Sequence, residues 1–155
     1  MRAVEILSPF TGRVVAIEDV PDPVFAEKMV GDGLAVDPTD GVGRAPTAGT
    51  IQLFHKSGHA LAVKTIDDVA VLVHIGIDTV DMKGQGFERL AEEGHAVTAG
   101  QELVRFDLGA IRAAGHSAVS PVILPDLPDG WVIEKTTLAQ VRAGEDVLLT
   151  VRHRE

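Results

Sequence analysis

Apolar residues along this chain come in short runs, many of them β-branched, separated by breaks rich in Gly, Pro and Asp. The breaks fall at Asp22-Pro23, Gly31-Asp32-Gly33, Asp37-Pro38, Ala48-Gly49, Ser57-Gly58, Gly84-Gln85-Gly86, Glu93-Gly94, Ala99-Gly100, Pro128-Asp129-Gly130 and Ala143-Gly144. Strands are expected between them at residues 13–17, 34–36, 50–54, 59–65, 69–74, 96–97, 102–106, 119–123, 131–134 and 147–151. Many short strands at this spacing predict an all-β sandwich or barrel. Two segments carry helical character. Residues 87–93 could form one or two turns, and residues 108–114 have Asp107 to cap them and Gly115 to end them. No stretch is long enough for a domain linker, so a single domain is expected.

A faint repeat accompanies the strand pattern. Ser8-Pro9-Phe10-Thr11-Gly12-Arg13-Val14 matches Ala45-Pro46-Thr47-Ala48-Gly49-Thr50-Ile51 as small-Pro-x-small-Gly-x-aliphatic. Gly33-Leu34-Ala35-Val36 is similar to Gly94-His95-Ala96-Val97. Duplication of a β unit and generic turn chemistry both account for these matches.

The strongest chemical signal is a pair of histidines flanking an expected hairpin. His59 precedes Ala60-Leu61-Ala62-Val63, and His74 ends Val69-Ala70-Val71-Leu72-Val73. A two-residue loop at Ile66-Asp67, or a four-residue loop over 65–68, sets the two His directly opposite one another. A loop at Asp67-Asp68 makes them diagonal neighbours, and only an odd loop separates them onto opposite faces. An even register therefore holds the imidazoles roughly 5–8 Å apart at Cβ. Their neighbours are apolar, which disfavours the charged form of each ring, as does a second imidazole. A neutral ring keeps a lone pair for nucleophilic attack. The second ring can then donate to oxygens of the group that the first attacks. Satisfied core histidines would look the same, and two imidazoles are also half a metal site.

Composition narrows the chemistry. The 155 residues contain no Cys, no Tyr and no Asn. Disulfides, thiolate metal sites and cysteine nucleophiles are excluded, and so is N-glycosylation. Lys and Arg number 14 against 23 Asp and Glu, a formal charge of −9, with no basic patch. Nucleic acid and anionic membranes are therefore unsuitable partners. The longest apolar run, 69–77, is far short of the roughly 20 residues of a membrane span. Only seven residues precede Ser8, too few for a secretory signal, so a cytoplasmic location is expected.

Longer blocks carry a family resemblance. They are Val20-Pro21-Asp22-Pro23-Val24-Phe25-Ala26-Glu27-Lys28-Met29-Val30-Gly31-Asp32-Gly33 and Val73-His74-Ile75-Gly76-Ile77-Asp78-Thr79-Val80 followed by Lys83-Gly84-Gln85-Gly86-Phe87. With Ala45–Ile51, Ser120-Pro121-Val122 and Ala143–Val147, they resemble the glucose-type enzyme IIA of the bacterial sugar phosphotransferase system, from about Ser8 to the C-terminus. The resemblance implies an all-β fold: an antiparallel β-sandwich of duplicated hybrid type with short peripheral helices. It implies a phosphocarrier. His74 would accept a phosphoryl group from the histidine phosphocarrier HPr and pass it to a cysteine of a sugar-specific IIB domain, with His59 supporting the phosphoryl oxygens. No cofactor is required, although His59 and His74 could bind zinc adventitiously. Partners would dock on an apolar surface carried here by Val24, Phe25, Met29, Phe54, Leu72 and Ile75, and the acidic rim would attract a basic face.

The chain departs from the family pattern before His59. The segment Phe54-His55-Lys56-Ser57-Gly58 has a one-residue insertion, and Ser57 is the candidate hydroxyl for orienting His59. His55 and Lys56 add local positive charge. The resemblance gives Asp78 a role near the acceptor, whereas its chemistry alone fits a turn residue or helix cap equally. His74-x-x-x-Asp78 also resembles half of the zinc motif of peptidases with a related β fold, making a zinc-dependent peptidase the alternative; the His-x-His half is missing. A lipoyl or biotinyl carrier would need a lysine at a hairpin tip, for which Lys83 is the candidate.

Overall fold

The structure, a computed structural model, describes residues 3–154. In chain order its elements are β1 (Ala3–Leu7), β2 (Gly12–Ala16), α1 (Pro23–Ala26), β3 (Asp32–Pro38), β4 (Val42–Arg44), β5 (Gly49–Phe54), β6 (Ala60–Lys64) and β7 (Ala70–His74). There follow β8 (Phe87–Arg89), β9 (Ala96–Val97), β10 (Glu102–Phe106), α2 (Leu108–Ala113), β11 (Ser120–Leu124), β12 (Trp131–Lys135), β13 (Gln140–Val141) and β14 (Val147–His153). Single 3-10 turns lie at Ile17–Asp19 and Thr79–Met82.

An eight-stranded sheet runs β13-β2-β3-β11-β7-β6-β5-β9, and two three-stranded sheets run β1-β14-β12 and β4-β10-β8. Every pairing recorded is antiparallel. The strand residues alternate between two apolar layers. Val36, Val63, Val71, Val73 and Val122 face a core shared with Ile6, Leu149 and Val151 of one small sheet and Leu103, Val104 and Phe106 of the other. Val15, Ala35, Ile123 and Leu72 face the other way, under a cover made by Ile17, Val20 and Phe25. The large sheet is thus buried on both faces where β3, β11 and β7 lie, and that is where the β-branched runs are densest. The expected β-sandwich is what forms.

The repeat is visible in the hydrogen bonding. Leu7 N–H donates to Pro46 O at 2.8 Å, and Arg44 N–H donates to Pro9 O at 2.9 Å. Because 44 and 46 are the repeat equivalents of 7 and 9, this is one contact made twice, reciprocally. Gly12 and Gly49 then open β2 and β5. An added Cβ at either would fall 2.0 and 2.2 Å from the carbonyls of Asp37 and Lys64, so both positions exclude side chains for the same reason.

Two local expectations fail. Residues 87–93 are not helical: Phe87–Arg89 is β8, paired with β10 so that Phe87 faces Phe106. Their rings stack with centroids 6.4 Å apart, a tertiary contact that decides a segment too short for its periodicity to decide. The hairpin between β6 and β7 has an odd loop: Lys64 faces Ala70 and Ala60 faces His74. Asp68, at φ 63, donates its N–H to Thr65 O at 3.0 Å. A left-handed residue after a turn is the usual way to close a three-residue hairpin loop. The helix α2 agrees with expectation, with Asp107 accepting from Ala110 N–H at 3.0 Å and Gly115 in the left-handed region.

Candidate functional site

The two histidines meet despite the odd register. His74 is the last residue of β7, and His59 lies one residue before β6, beyond the regular ladder. Strand alternation therefore does not fix the direction of its ring. Gly58 enters at φ 82, and His59 O accepts from Ile75 N–H at 2.7 Å. The ring of His59 stands edge-on to that of His74, centroids 5.2 Å apart.

His74 is held at its base. Its Nδ1 lies 2.7 Å from Gly76 O. A carbonyl can only accept, so Nδ1 carries the proton and Nε2 keeps the lone pair. The carbonyl is placed by Gly76 itself, at φ 70, where an added Cβ would meet Thr79 Cγ2 at 2.7 Å and Ser117 O at 2.9 Å. The Gly76 N–H donates to Ser120 Oγ at 3.0 Å. The fully buried Ser120 in turn donates to Ala118 O at 2.8 Å.

Burial pushes the pKa of His74 below the ordinary imidazole value, opposed by the bond to Gly76 and by the negative charges of Asp22 and Asp78. His59 is pushed down to about 4, first by burial and then by His74 and His55. Both rings are therefore neutral near pH 7. His59 is 4% exposed, and its Nδ1 has no hydrogen-bond partner. A buried acceptor without a partner costs less than a buried N–H without one, so the proton belongs on Nε2.

Phe25 closes the other side, its ring 5.3 Å from that of His74. Asp22 seats it by accepting from Val24 N–H at 2.8 Å ahead of Pro23, an N-cap followed by the residue best suited to the first helical position.

The remaining expected residues divide. Val24 and Met29 are exposed, at 42% and 72%, while Leu72 is half-buried on the layer of Phe25. Phe54, Ile75 and Phe25 are buried, so none is an open docking surface. Phe54 and Ile75 belong to the main core, and Phe25 is spent on covering His74 and the sheet. Ser57 does not orient His59 through Nδ1, which has no partner; its backbone N–H donates to His55 Nδ1 at 3.1 Å instead. Asp78 is not a side-chain cap of the turn after it; it sits at φ 59 with its charge acting on His74. Lys83 lies in a left-handed turn after a 3-10 helix, not at a hairpin tip, which removes the swinging-arm reading. Sequence reasoning missed the Gly76 carbonyl and the Ser120 hydroxyl, and gave His55 only a charge. The signals were present as a glycine two residues after His74 and a histidine four residues before His59.

The pair His59 and His74 supplies two imidazoles, whereas a zinc hydrolase takes three protein ligands. Among the described residues, no group of three or more His, Asp or Glu is arranged to hold a metal. No helix among them is long and apolar enough to cross a membrane.

The family model for the phosphoenolpyruvate-dependent sugar phosphotransferase system, EIIA 1, matches residues 4–129. A glucose-specific EIIA component of Halalkalibacterium halodurans is 44% identical over 147 residues, 95% of this chain and 85% of the relative. An N-acetylglucosamine-specific EIICBA component of Escherichia coli is 46% identical over 150 residues, 96% of this chain but 23% of that longer protein. The solved glucose permease IIA from Mycoplasma capricolum superposes with a TM-score of 0.91 at 32% identity, over 97% of this chain and 96% of its own. The chain thus belongs to the EIIA 1 family of the phosphoenolpyruvate-dependent sugar phosphotransferase system, as a phosphohistidine carrier rather than a stand-alone catalyst.

Proposed function

We propose that Nε2 of His74 accepts the phosphoryl group from phospho-HPr and yields it to the cysteine of a IIB domain, in the cytoplasm. The observation that carries this is the bond from His74 Nδ1–H to Gly76 O, which leaves the other nitrogen unprotonated and facing away from the anchor. The lone pair on Nε2 attacks phosphorus as the donor's N–P bond breaks, and the donor nitrogen takes up that electron pair. The Nδ1 proton stays on the ring, so the phosphorylated imidazole is cationic. Gly76 O and the charges of Asp22 and Asp78 favour that cation. The same carboxylates repel the dianionic phosphoryl group, which eases its departure to a thiolate. In-line positioning and charge stabilisation are the main demands of such a transfer. His59, neutral and protonated on Nε2, donates to a phosphoryl oxygen. Incubation with phosphoenolpyruvate, enzyme I and HPr tests the proposal: one acid-labile phosphoryl adduct by intact mass is expected, and no adduct from a competent donor would refute it.

Docking rests on Val24 and Met29, which project from the segment that seats Phe25 against His74. A charge there meets the partner's apolar surface unpaired. Met29→Glu is expected to raise the apparent KM for phospho-HPr about tenfold with an unchanged far-UV spectrum.

The depressed histidine pKa values set a pH dependence of stability. Below the ordinary value of 6.5 the unfolded chain binds protons that the folded site refuses. This part of the stability is complete above pH 6.5 and is lost as pH falls from there toward about 4. For His59 the loss is on the order of 3 kcal/mol. Urea unfolding at about pH 7.5 and about pH 4.5 is expected to show wild type losing about 2–3 kcal/mol more than His59→Gln.

A further inference from the structure

A third imidazole lies against the pair. The ring of the exposed His55 lies 4.4 Å from that of His59, tilted by 58°, on a hydrogen-bonded turn. His55 N–H donates to Ala60 O at 2.9 Å, and His55 O accepts from Gly58 N–H at 2.8 Å. Its Nδ1 accepts from Ser57 N–H at 3.1 Å. An accepting Nδ1 fixes the ring's rotation about both side-chain torsions and puts the proton of the neutral ring on Nε2. Position 58 also excludes a side chain, because a Cβ on Gly58 would come within 3.1 Å of Phe87 Cβ.

His59 has the opposite character. Its Nδ1 is buried without a hydrogen-bond partner, so its ring is steadied by packing, against His55 at 4.4 Å and His74 at 5.2 Å. Donation to a phosphoryl oxygen requires one tautomer at one angle, and misplacement of a donor by even an ångström is costly. We infer that His55 is a positioning residue of the phosphoryl relay: its ring, locked by the Ser57 N–H, is the wall that fixes the orientation of His59 against His74 and, by keeping water from the unpartnered Nδ1, its tautomer. His55 touches neither the phosphorus nor the attacking nitrogen, and it acts through His59. The inference rests on the proposed role of His59 in the transfer.

Two substitutions separate the ring from the turn. His55→Asn keeps an oxygen that can accept from Ser57 N–H and removes the ring. His55→Phe keeps the ring and removes the acceptor. Each is made in 15N-histidine-labelled protein, with ring resonances of His59 assigned by their loss in His59→Gln. In wild type and His55→Phe, His59 is expected to show the nitrogen shifts of a single neutral tautomer with Nε2 protonated. In His55→Asn those shifts are expected to move toward the average of two tautomers, and delivery from the phosphorylated protein to a IIB domain to slow about tenfold. If His55→Asn retains wild-type shifts and transfer, the inference is overturned. The same holds if His55→Phe disturbs the tautomer while His55→Asn does not, because His55 would then be a turn residue only. The nitrogen shifts are read on unphosphorylated protein, so they judge His55 even if His74 takes up no phosphate.

Discussion

His74→Gln is expected to abolish phosphoryl uptake entirely while leaving the fold in place. Glutamine is close to histidine in length, but its amide nitrogen lies at the level of Nε2, so the 2.7 Å bond from Nδ1–H to Gly76 O is lost. The strand below is unchanged, with Leu72 and Val73 still paired to Ile123 and Val122 of β11. The loss of one neutral hydrogen-bond geometry costs about 1 kcal/mol or less. The amide nitrogen, however, has no lone pair available for attack, and no Cys or Tyr exists elsewhere in the chain to substitute. Intact mass after incubation with the donor system should show no adduct at a melting temperature near that of wild type. A retained adduct would move the acceptor to another histidine.

Gly76→Ala is expected to damage both stability and transfer. The residue sits at φ 70, and an L side chain in the left-handed region costs about 1–2 kcal/mol. The added Cβ would also press on Thr79 Cγ2 at 2.7 Å and on the backbone oxygen of Ser117 at 2.9 Å. Neither yields easily: Thr79 is fully buried, and Ser117 O already accepts from Ile77 N–H at 2.9 Å. The total loss is expected near about 2–4 kcal/mol by urea unfolding. Relief of the clash turns the Gly76 carbonyl away from His74 Nδ1, releasing the tautomer. Phosphoryl uptake should therefore fall even where the protein remains folded, which separates this substitution from a simple loss of stability.

Much of the sandwich was legible because its central strands carry unmistakable β-branched runs. Val69–Val73, Val119–Ile123 and Val147–Val151 are buried on one or both faces, and burial of that kind selects residues that cannot be mistaken for loop. The segments that escaped are decided by partners instead. β4 and β13 are short strands recruited by β10 and β2. β8 is drawn into a sheet by the contact of Phe87 with Phe106, against the weak helical character of its sequence. The histidine pair was legible as a pair, but for an insufficient reason. The odd loop at Asp68 defeats the register argument; the rings meet because His59 lies off the end of its strand. Apolar character alone also could not separate docking residues from core. Met29 and Phe54 look alike in sequence, yet one is 72% exposed and the other 3%. His55 was hidden for a related reason: a ring four residues before His59 contacts it only because the turn at Gly58 doubles back.

The chemistry of the relay turns on which nitrogen of which histidine carries the phosphoryl group. The decisive measurement is 31P and 15N NMR of the phosphorylated protein with labelled histidine. Because Nδ1 of His74 is committed to Gly76 O, a single phosphohistidine, bonded through Nε2, is expected on His74. A phosphoryl group on Nδ1 of His74, or on His59, would contradict it.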